Sequence, residues 1–369
     1  MRKIAIVFLG SHYLDARCIN MIRTLSKKNC SVTIYSSSKK LSPTVKFFNT
    51  LVREVYIKTS SLSVIRYLDW LIKIYREVNK ESYDTVIAGD LYSLLPIVLK
   101  KNNYRVIYDS REIYTKLSIH VKNPIKNKII SIVERFCIKK INKIMVTAKS
   151  DLDYLKSIYS KNKISYKIIY NYPLKSFVNL NSNFFRNKLN IDKKNTILLY
   201  QGVLQKNRGI VQLMKIVQKT QNTVGIIVGN GEYKKNIQNY IKKHNLRSCV
   251  HLLPAIPYPQ LLQITSSADL GIALINPNSL SNQFALPNKL FEYAVSGIPV
   301  LASSLPNIKK YILKYNLGWS IDHNDLQGQV NIIKGLQNNT TQAPATHGHS
   351  SFYWESQEND FYNFIINDK

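Results

Sequence analysis

KIAIVFLG, residues 3–10, is the run that decides the fold. Six apolar residues follow Lys3 without a polar break, and Gly10 ends them. A strand with one wet face alternates apolar and polar residues; a strand covered on both faces reads like this one. Downstream, residues 15–27 place Ile19, Ile22 and Leu25 at helical spacing, and SVTIYS at 31–36 is a second strand. The reading continues with a strand at 52–57, a helix at 65–80, strand TVIAG at 85–89 and a helix at 91–100. Strand RVIYD at 105–109, a basic helix at 124–141 and a strand at 143–147 follow. Strands alternating with helices define a parallel sheet of βαβ units.

The rhythm stops after a short strand at 167–173, which runs into Pro173. Residues 174–195 are polar and Asn-rich and read as an inter-domain linker. Alternation restarts with strand TILLYQ at 196–201, helix 210–218, strand 224–228 and helix 233–244. Strand 250–253, helix 258–266, strand 270–274, helix 288–296 and strand 299–302 complete a second sheet. Residues 335–350 read as a loop, and 351–366 as a last helix with Trp354, Phe361 and Phe364 on its buried side. A chain of 369 residues fits two domains at roughly 100–200 residues each.

The formal net charge is +30, and it is uneven: residues 1–175 carry a net +21 and residues 176–369 a net +9. Such an excess points to an anionic partner, a membrane surface or nucleic acid, or to a merely solvated lysine-rich surface. Cys18, Cys30, Cys137 and Cys249 are far apart, without metal-ligand spacing, which fits a reducing compartment. The first apolar run is too short for a signal peptide, and no stretch of about 18 apolar residues reads as a membrane span.

In open α/β sheets ligands bind beyond the carboxyl ends of the strands, so the loops there hold the candidate chemistry. ALPNKLFEYAVSGIPVLAS, residues 285–303, starts a helix at Pro287, where a missing N–H costs nothing. Free N–H groups at that helix start favour an anion, and Lys289 adds a full charge in the first turn. Glu292 offers a carboxylate that accepts two hydrogen bonds at once, as from a ribose diol. YQGVLQKNRGI, residues 200–210, has Gly202 at a strand end and Arg208, which can grip a diphosphate with two parallel bonds. VGNG at 228–231 (Gly229, Asn230, Gly231) is a third turn of this kind, too short for a dinucleotide fingerprint.

In the first half, GSHYLDAR at 10–17 brings Gly10, His12, Asp15 and Arg17 to a strand end, with Asp15 as an N-cap. YDSREIY at 108–114 puts Asp109, Arg111 and Glu112 at another. Arg111 can hold a leaving diphosphate or an acidic acceptor group, and Glu112 can orient an acceptor hydroxyl. His12 is a competing candidate base. An internal Asp–Arg–Glu ion-pair cluster is the alternative reading. The basic stretch 122–149, from Lys122 to Lys149, interleaves lysines with Ile129, Ile130, Ile132, Val133, Phe136 and Ile138. It fits an anionic bilayer, with Trp70 assisting, or a core helix with a solvated face.

With these motifs the chain resembles glycosyltransferases of the family 4 type, which have the GT-B fold. The resemblance implies two Rossmann-like domains facing each other across a cleft. The first, residues 1–175 with 350–369, would bind the acceptor, and the second, 176–349, the nucleotide-sugar donor. Glu292, five residues before Gly-x-Pro-Val, matches the family's second motif glutamate and its ribose contact. The first motif glutamate is replaced here by Phe284. Pro287, Asn288 and Lys289 resemble a subgroup whose lysine faces the diphosphate. Gly202, Arg208 and the Val-Gly-x-Gly turn match donor-binding positions, and Asp15-x-Arg17 an acceptor-side one. Residues 109–112 are similar to an Asp-Ser-His-Glu segment, with Arg111 in the histidine's place. SFYWESQE at 351–358 is similar to the tryptophan-containing last helix, which crosses back onto the first domain.

The expected activity is therefore sugar transfer from a nucleoside diphosphate to a hydroxyl of a lipid-linked or polysaccharide acceptor. The family resemblance implies retention of configuration, and its usual setting is cell-surface polysaccharide or lipopolysaccharide assembly. Neither a metal nor another cofactor is expected. The expected location is cytoplasmic, peripheral at the inner face of the plasma membrane, with no nucleic acid bound. A nucleotide-sugar epimerase-type GT-B enzyme, a basic nucleic-acid-binding protein and a catalytically silent scaffold remain as alternatives.

Overall fold

The computed structural model describes residues 1–37, 52–58, 63–99, 103–117, 123–160, 162–344 and 350–367. The chain divides into two units, Met1–Asn171 with Trp354–Lys369, and Tyr172–Tyr353.

In the first unit the strands are β1 (Lys3–Phe8), β2 (Ser31–Ser36), β3 (Val52–Tyr56), β4 (Thr85–Ala88), β5 (Arg105–Ser110), β6 (Lys143–Val146) and β7 (Ser165–Ile168). They form one sheet in the order β3-β2-β1-β4-β5-β6-β7, every pair parallel. Ile4, Ala5, Ile6 and Val7 are all buried, so β1 is covered on both faces, as its unbroken apolar run requires. Its helices are α1 (Ala16–Lys27), α2 (Ser63–Val78), α3 (Leu91–Val98), α4 (Pro124–Ile138) and α5 (Lys149–Ile158). Inward side chains of α2, α3, α4 and α5 share one core cluster with Ala5, Val86, Tyr108 and Ile144 of the sheet. These four helices lie in one layer, because right-handed crossovers that advance in the same direction across a sheet use the same face.

The second unit contains α6 (Phe184–Leu189), β8 (Thr196–Gln201), α7 (Ile210–Lys219), β9 (Thr223–Val228), α8 (Lys234–Lys243) and β10 (Val250–Leu253). It continues with α9 (Tyr258–Thr265), β11 (Leu270–Ala273), α10 (Leu280–Gln283) and α11 (Asn288–Val295). The last elements are β12 (Val300–Ser303), α12 (Pro306–Tyr315), β13 (Gly318–Ile321) and α13 (Leu326–Gln337). Its sheet is also parallel throughout, ordered β10-β9-β8-β11-β12-β13. On one face, α7, α8 and α13 pack with Leu198, Tyr200, Ile227 and Leu270.

The final helix, α14 (Glu358–Ile366), belongs to the first unit. Trp354, fully buried, donates its indole N–H to Thr24 Oγ1 at 2.8 Å. Gln357 holds Tyr170 from both sides, accepting from its N–H and donating to its carbonyl. The last carbonyls of a helix have no intrahelical donor. Here Arg2 caps Ile366 O, Arg105 caps Ile365 O and Lys143 caps Phe364 O, at 2.7–2.9 Å. Three cations also complement the negative end of the helix dipole.

Several elements differ from the sequence reading. The 174–195 linker contains α6, the seventh strand sits at 165–168, and 350–356 forms two 3-10 turns before α14. Phe364 is only half-buried, with Lys143 over its ring, and Ile365 takes the core position. Trp70 is wholly in the core and donates to Ser93 Oγ, so it is no surface aromatic. Within the 335–350 loop, residues 345–349 lie outside the described residues, as does Lys122 of the basic stretch.

Candidate active site

Each sheet has a point where its chain order reverses: between β1 and β4 in the first unit, and between β8 and β11 in the second. Loops leaving the carboxyl ends of the two strands there part to opposite faces and leave a crevice. The predicted site residues sit at these two places, each within its own unit.

In the second unit, β8 ends at Gln201 and turns at Gly202, whose φ of +126° favours glycine. A β-carbon on Gly202 would lie 3.8 Å from the Lys289 ammonium, so the β8 turn and the start of α11 are adjacent. Pro287 is the N-cap of α11, with Asn288 and Lys289 in its first turn. The Lys289 ammonium lies over the Tyr200 ring, 3.4 Å from its centre. Among the described residues it has no hydrogen-bond or ion-pair partner. Burial and then the neighbouring Arg208 push that ammonium down to about 7, and Glu292 opposes this only in part.

Glu292, buried on the same helix, accepts from Gln201 Nε2 at 2.6 Å. Gln201 is itself fixed by Thr265 Oγ1, which donates to its Oε1 at 3.1 Å. Burial pushes the Glu292 carboxyl up, against bonds from Gln201 and Tyr258 and the charge of Lys289. Tyr293 locks the helix to the sheet: its hydroxyl donates to Leu199 O and accepts from Gln201 N–H. Its ring fills the space that a side chain at Gly271 would occupy.

The VGNG turn plays a packing part. A β-carbon on Gly229 would sit 2.0 Å from Gly202 O, and one on Gly231 would sit 2.3 Å from Leu204 O. Leu204 N–H donates to Asn230 O, so the two turns are laced backbone to backbone. The Asn230 side chain is exposed at the tip, accepting from Gly231 N–H. Gly209, with φ +91°, starts α7 immediately after half-buried Arg208 and packs on the Leu274 carbonyl. Phe284 ends α10, its carbonyl held by Asn307 Nδ2 at 2.7 Å.

In the first unit, Asp15 caps α1 by accepting from Cys18 N–H at 2.7 Å, as expected. Arg111 bridges Asp15 and Asp109 at 2.9 Å each, touches Cys18 Sγ and lies over the Phe8 ring. Arg17 grips both oxygens of Asp109 and donates to Ile169 O and Asn171 Oδ1. Burial alone would raise the Asp109 carboxyl, but Arg17 and Arg111 hold it below the usual carboxylate range. Arg17 and Asp109, expected as acceptor contacts, are thus buried and bound to each other. The internal ion-pair cluster is what β5 and α1 build, because an unpaired charge at such depth costs several kcal/mol. Arg111, also drawn into it, keeps one edge open, and Glu112 is exposed beside it. His12 is buried and paired with Glu54 at 2.5 Å. Gly10 is pressed by the Phe8 ring, and its carbonyl accepts from Ser36 Oγ.

Gln201, Tyr200, Thr265 and Glu54 were not singled out from sequence. The one legible signal was a polar residue, Gln201, closing the otherwise apolar TILLYQ. Among the described residues, no group of three or more His, Cys, Asp or Glu is placed to hold a metal ion.

Against this geometry, residues 181–345 match the family model "Glycosyl transferases group 1". That match lies within the second unit. An uncharacterized glycosyltransferase of Methanocaldococcus jannaschii is 24% identical over 269 residues, covering 69% of this chain. That alignment spans 63% of the relative, less than two thirds of its length. Sucrose-phosphate synthase from Thermosynechococcus elongatus superposes with a TM-score of 0.78 at 15% identity, over 98% of each chain. HepE of Anabaena, solved with UDP-glucose, gives 0.74 at 15% identity, over 98% of this chain and 99% of its own. The fold is GT-B: two α/β domains, each built on a parallel sheet.

Proposed function

We propose that the protein transfers a sugar from a nucleoside-diphosphate sugar to a hydroxyl of a lipid-linked or polysaccharide acceptor. The observation that carries this reading is the pair of cations, Lys289 and Arg208, at the Gly202 turn and the start of α11, with no carboxylate bound to Lys289 among the described residues. An anion there restores a charge that burial and mutual repulsion make costly. A diphosphate is the fitting anion, because Glu292 waits one turn further along the same helix with a carboxylate oriented by Gln201 for a ribose diol. The HepE structure, similar in fold, was solved with UDP-glucose, which supports a nucleotide-sugar donor.

The costly charge in such a transfer is the departing diphosphate. Lys289, Arg208 and the N–H groups at the start of α11 meet it as it leaves. On this reading the reaction needs no metal, and configuration is retained by attack on the face the diphosphate leaves. In the first unit, Arg111 and Glu112 present the acceptor hydroxyl, and Arg17, Asp109 and Asp15 hold Arg111 in position. The setting is cell-surface polysaccharide assembly, peripherally at the inner face of the plasma membrane. No helix among the described residues is long and apolar enough to cross a membrane.

The test is calorimetry with a panel of nucleoside diphosphates and their sugars, followed by turnover with the donor that binds. Lys289→Ala and Glu292→Ala are each expected to lower turnover at least about a hundredfold with an unchanged circular-dichroism spectrum. Near-normal turnover in either variant sinks the assignment.

A further inference from the structure

Among the described residues, the first unit leaves an apolar surface uncovered. Fifteen large apolar side chains are exposed among the described residues, and ten of them lie on or at the end of α2, α3, α4 and α5. On α4, Ile125, Ile129, Ile132 and Phe136 recur at helical spacing and are 40–76% exposed. The opposite side of α4, with Ile130, Cys137 and Ile138, is in the core. The pattern repeats on α2, where Ile65, Leu68, Ile72 and Tyr75 face outward and Trp70, Ile74 and Val78 face inward. A helix in the outer layer of an α/β domain needs one apolar side. These two helices have two, and among the described residues nothing covers the second.

The charges bordering the stripe say what does. Lys128 and Arg135 are exposed on α4, Lys139 and Lys140 just past its end, and Arg76 on α2, whose acids Asp69 and Glu77 are paired with Lys73 and Lys80. The sole acid of α4, Glu134, points into the core. An apolar stripe edged by cations fits the headgroup region of an anionic bilayer, where the stem of each cation lies along the apolar zone and its head meets phosphate. A second copy docked on this face would bring two sets of those cations together, which disfavours self-association.

We propose that the outer face of α2 and α4 is a docking surface for an anionic lipid bilayer, inserting its isoleucine, leucine and phenylalanine side chains into the interface. This gives the peripheral setting proposed above a surface, and it is tested without sugar transfer. The full-length protein is sedimented with vesicles of phosphatidylcholine, alone or with phosphatidylglycerol as about one third of the lipid. Binding to the mixed vesicles at least about tenfold stronger than to the neutral ones is expected. Ile129→Glu with Ile132→Glu, and separately Leu68→Glu with Ile72→Glu, are each expected to lower it at least about tenfold. Melting temperature and any binding of UDP stay as in the parent.

An environment-sensitive fluorophore gives a second readout, placed by Ile132→Cys or, as a control in the second unit, Leu313→Cys, both in a Cys249→Ser background. A blue shift with mixed vesicles at 132 and none at 313 supports the proposal. Equal shifts at both sites, unchanged vesicle binding in both double variants, or absence of binding overturns it. So does a dimer of the parent that the double variants convert to monomer, since a second copy would then be the cover. Loss of UDP binding with vesicle binding intact would count against the donor reading alone.

Discussion

Lys289 is an ammonium near neutrality, and that makes it a reporter of its own ligand. A diphosphate favours the charged form, so it raises the lysine from about 7 and must bring a proton with it. Above pH 7 each unit should weaken UDP binding by up to about tenfold, and calorimetry near pH 8 in buffers of different ionisation heat should show uptake approaching one proton. Lys289→Met should bind weakly at every pH and lose the proton uptake. Glu134 titrates in the opposite sense. Burial pushes it up to about 7, against a bond from Tyr159. Its folded form therefore holds a proton that the unfolded chain releases near 4.3, so its contribution is full at low pH and is lost as pH rises through 7. Glu134→Gln should flatten the fall in stability between about pH 5 and 8, a difference of up to ~3 kcal/mol readable in urea titrations at both ends. At this scale the sequence was legible where a local pattern sufficed: Pro287, Lys289 and Glu292 follow one another on one helix. It was opaque where partners lie far apart. Gln201 meets Glu292 across 91 positions and Arg17 meets Asp109 across 92, and nothing in either segment announces the other.

Among the elements, the two turns after β8 and β9 act as one piece, and glycine is what lets them touch. Gly229→Ala would drive a methyl to 2.0 Å from the Gly202 carbonyl, so the backbone must give way. The expected cost is about 1–3 kcal/mol in urea unfolding, with a loss of UDP affinity, because the Gly202 turn moves with it. Gly202→Ala has open space toward Lys289 at 3.8 Å, and only its φ of +126° resists, so its effect should fall on stability more than on contacts. Core strands announce themselves by apolar runs, which is why β1, β8 and β11 were read within a residue or two. The unread elements, α5, α12, β13 and α13, are short or heavily polar. α5 buries only Leu152 and Leu155 among lysine, serine and aspartate, and α12 only Ile308 and Ile312. Periodicity carried by two residues does not stand out from a Lys- and Asn-rich background. The basic stretch was legible only in part: charge was visible, but which isoleucines faced out was decided by the layer they pack on.

For the molecule as a whole, residues 354–369 matter beyond their number. A chain ending at Tyr353 would lose the buried Trp354, Phe361 and Ile365, each contributing about 1.5–3 kcal/mol. It would also strand Lys143, a buried ammonium that donates to the carbonyls of Phe364 and Asn367. Such a truncation is expected to lower the melting of the first unit and expose its amides to exchange while the second unit keeps its protection, which hydrogen exchange by mass spectrometry would resolve. That wrap-around imposes an order on biosynthesis. The ribosome delivers the opening 171 residues early, yet their partner helix follows only after every residue of the intervening unit. The first unit must wait, incomplete and reliant on chaperones, until residues 354–366 have emerged, so chains whose synthesis stalls between Asn171 and Trp354 should have a first unit that proteases clear.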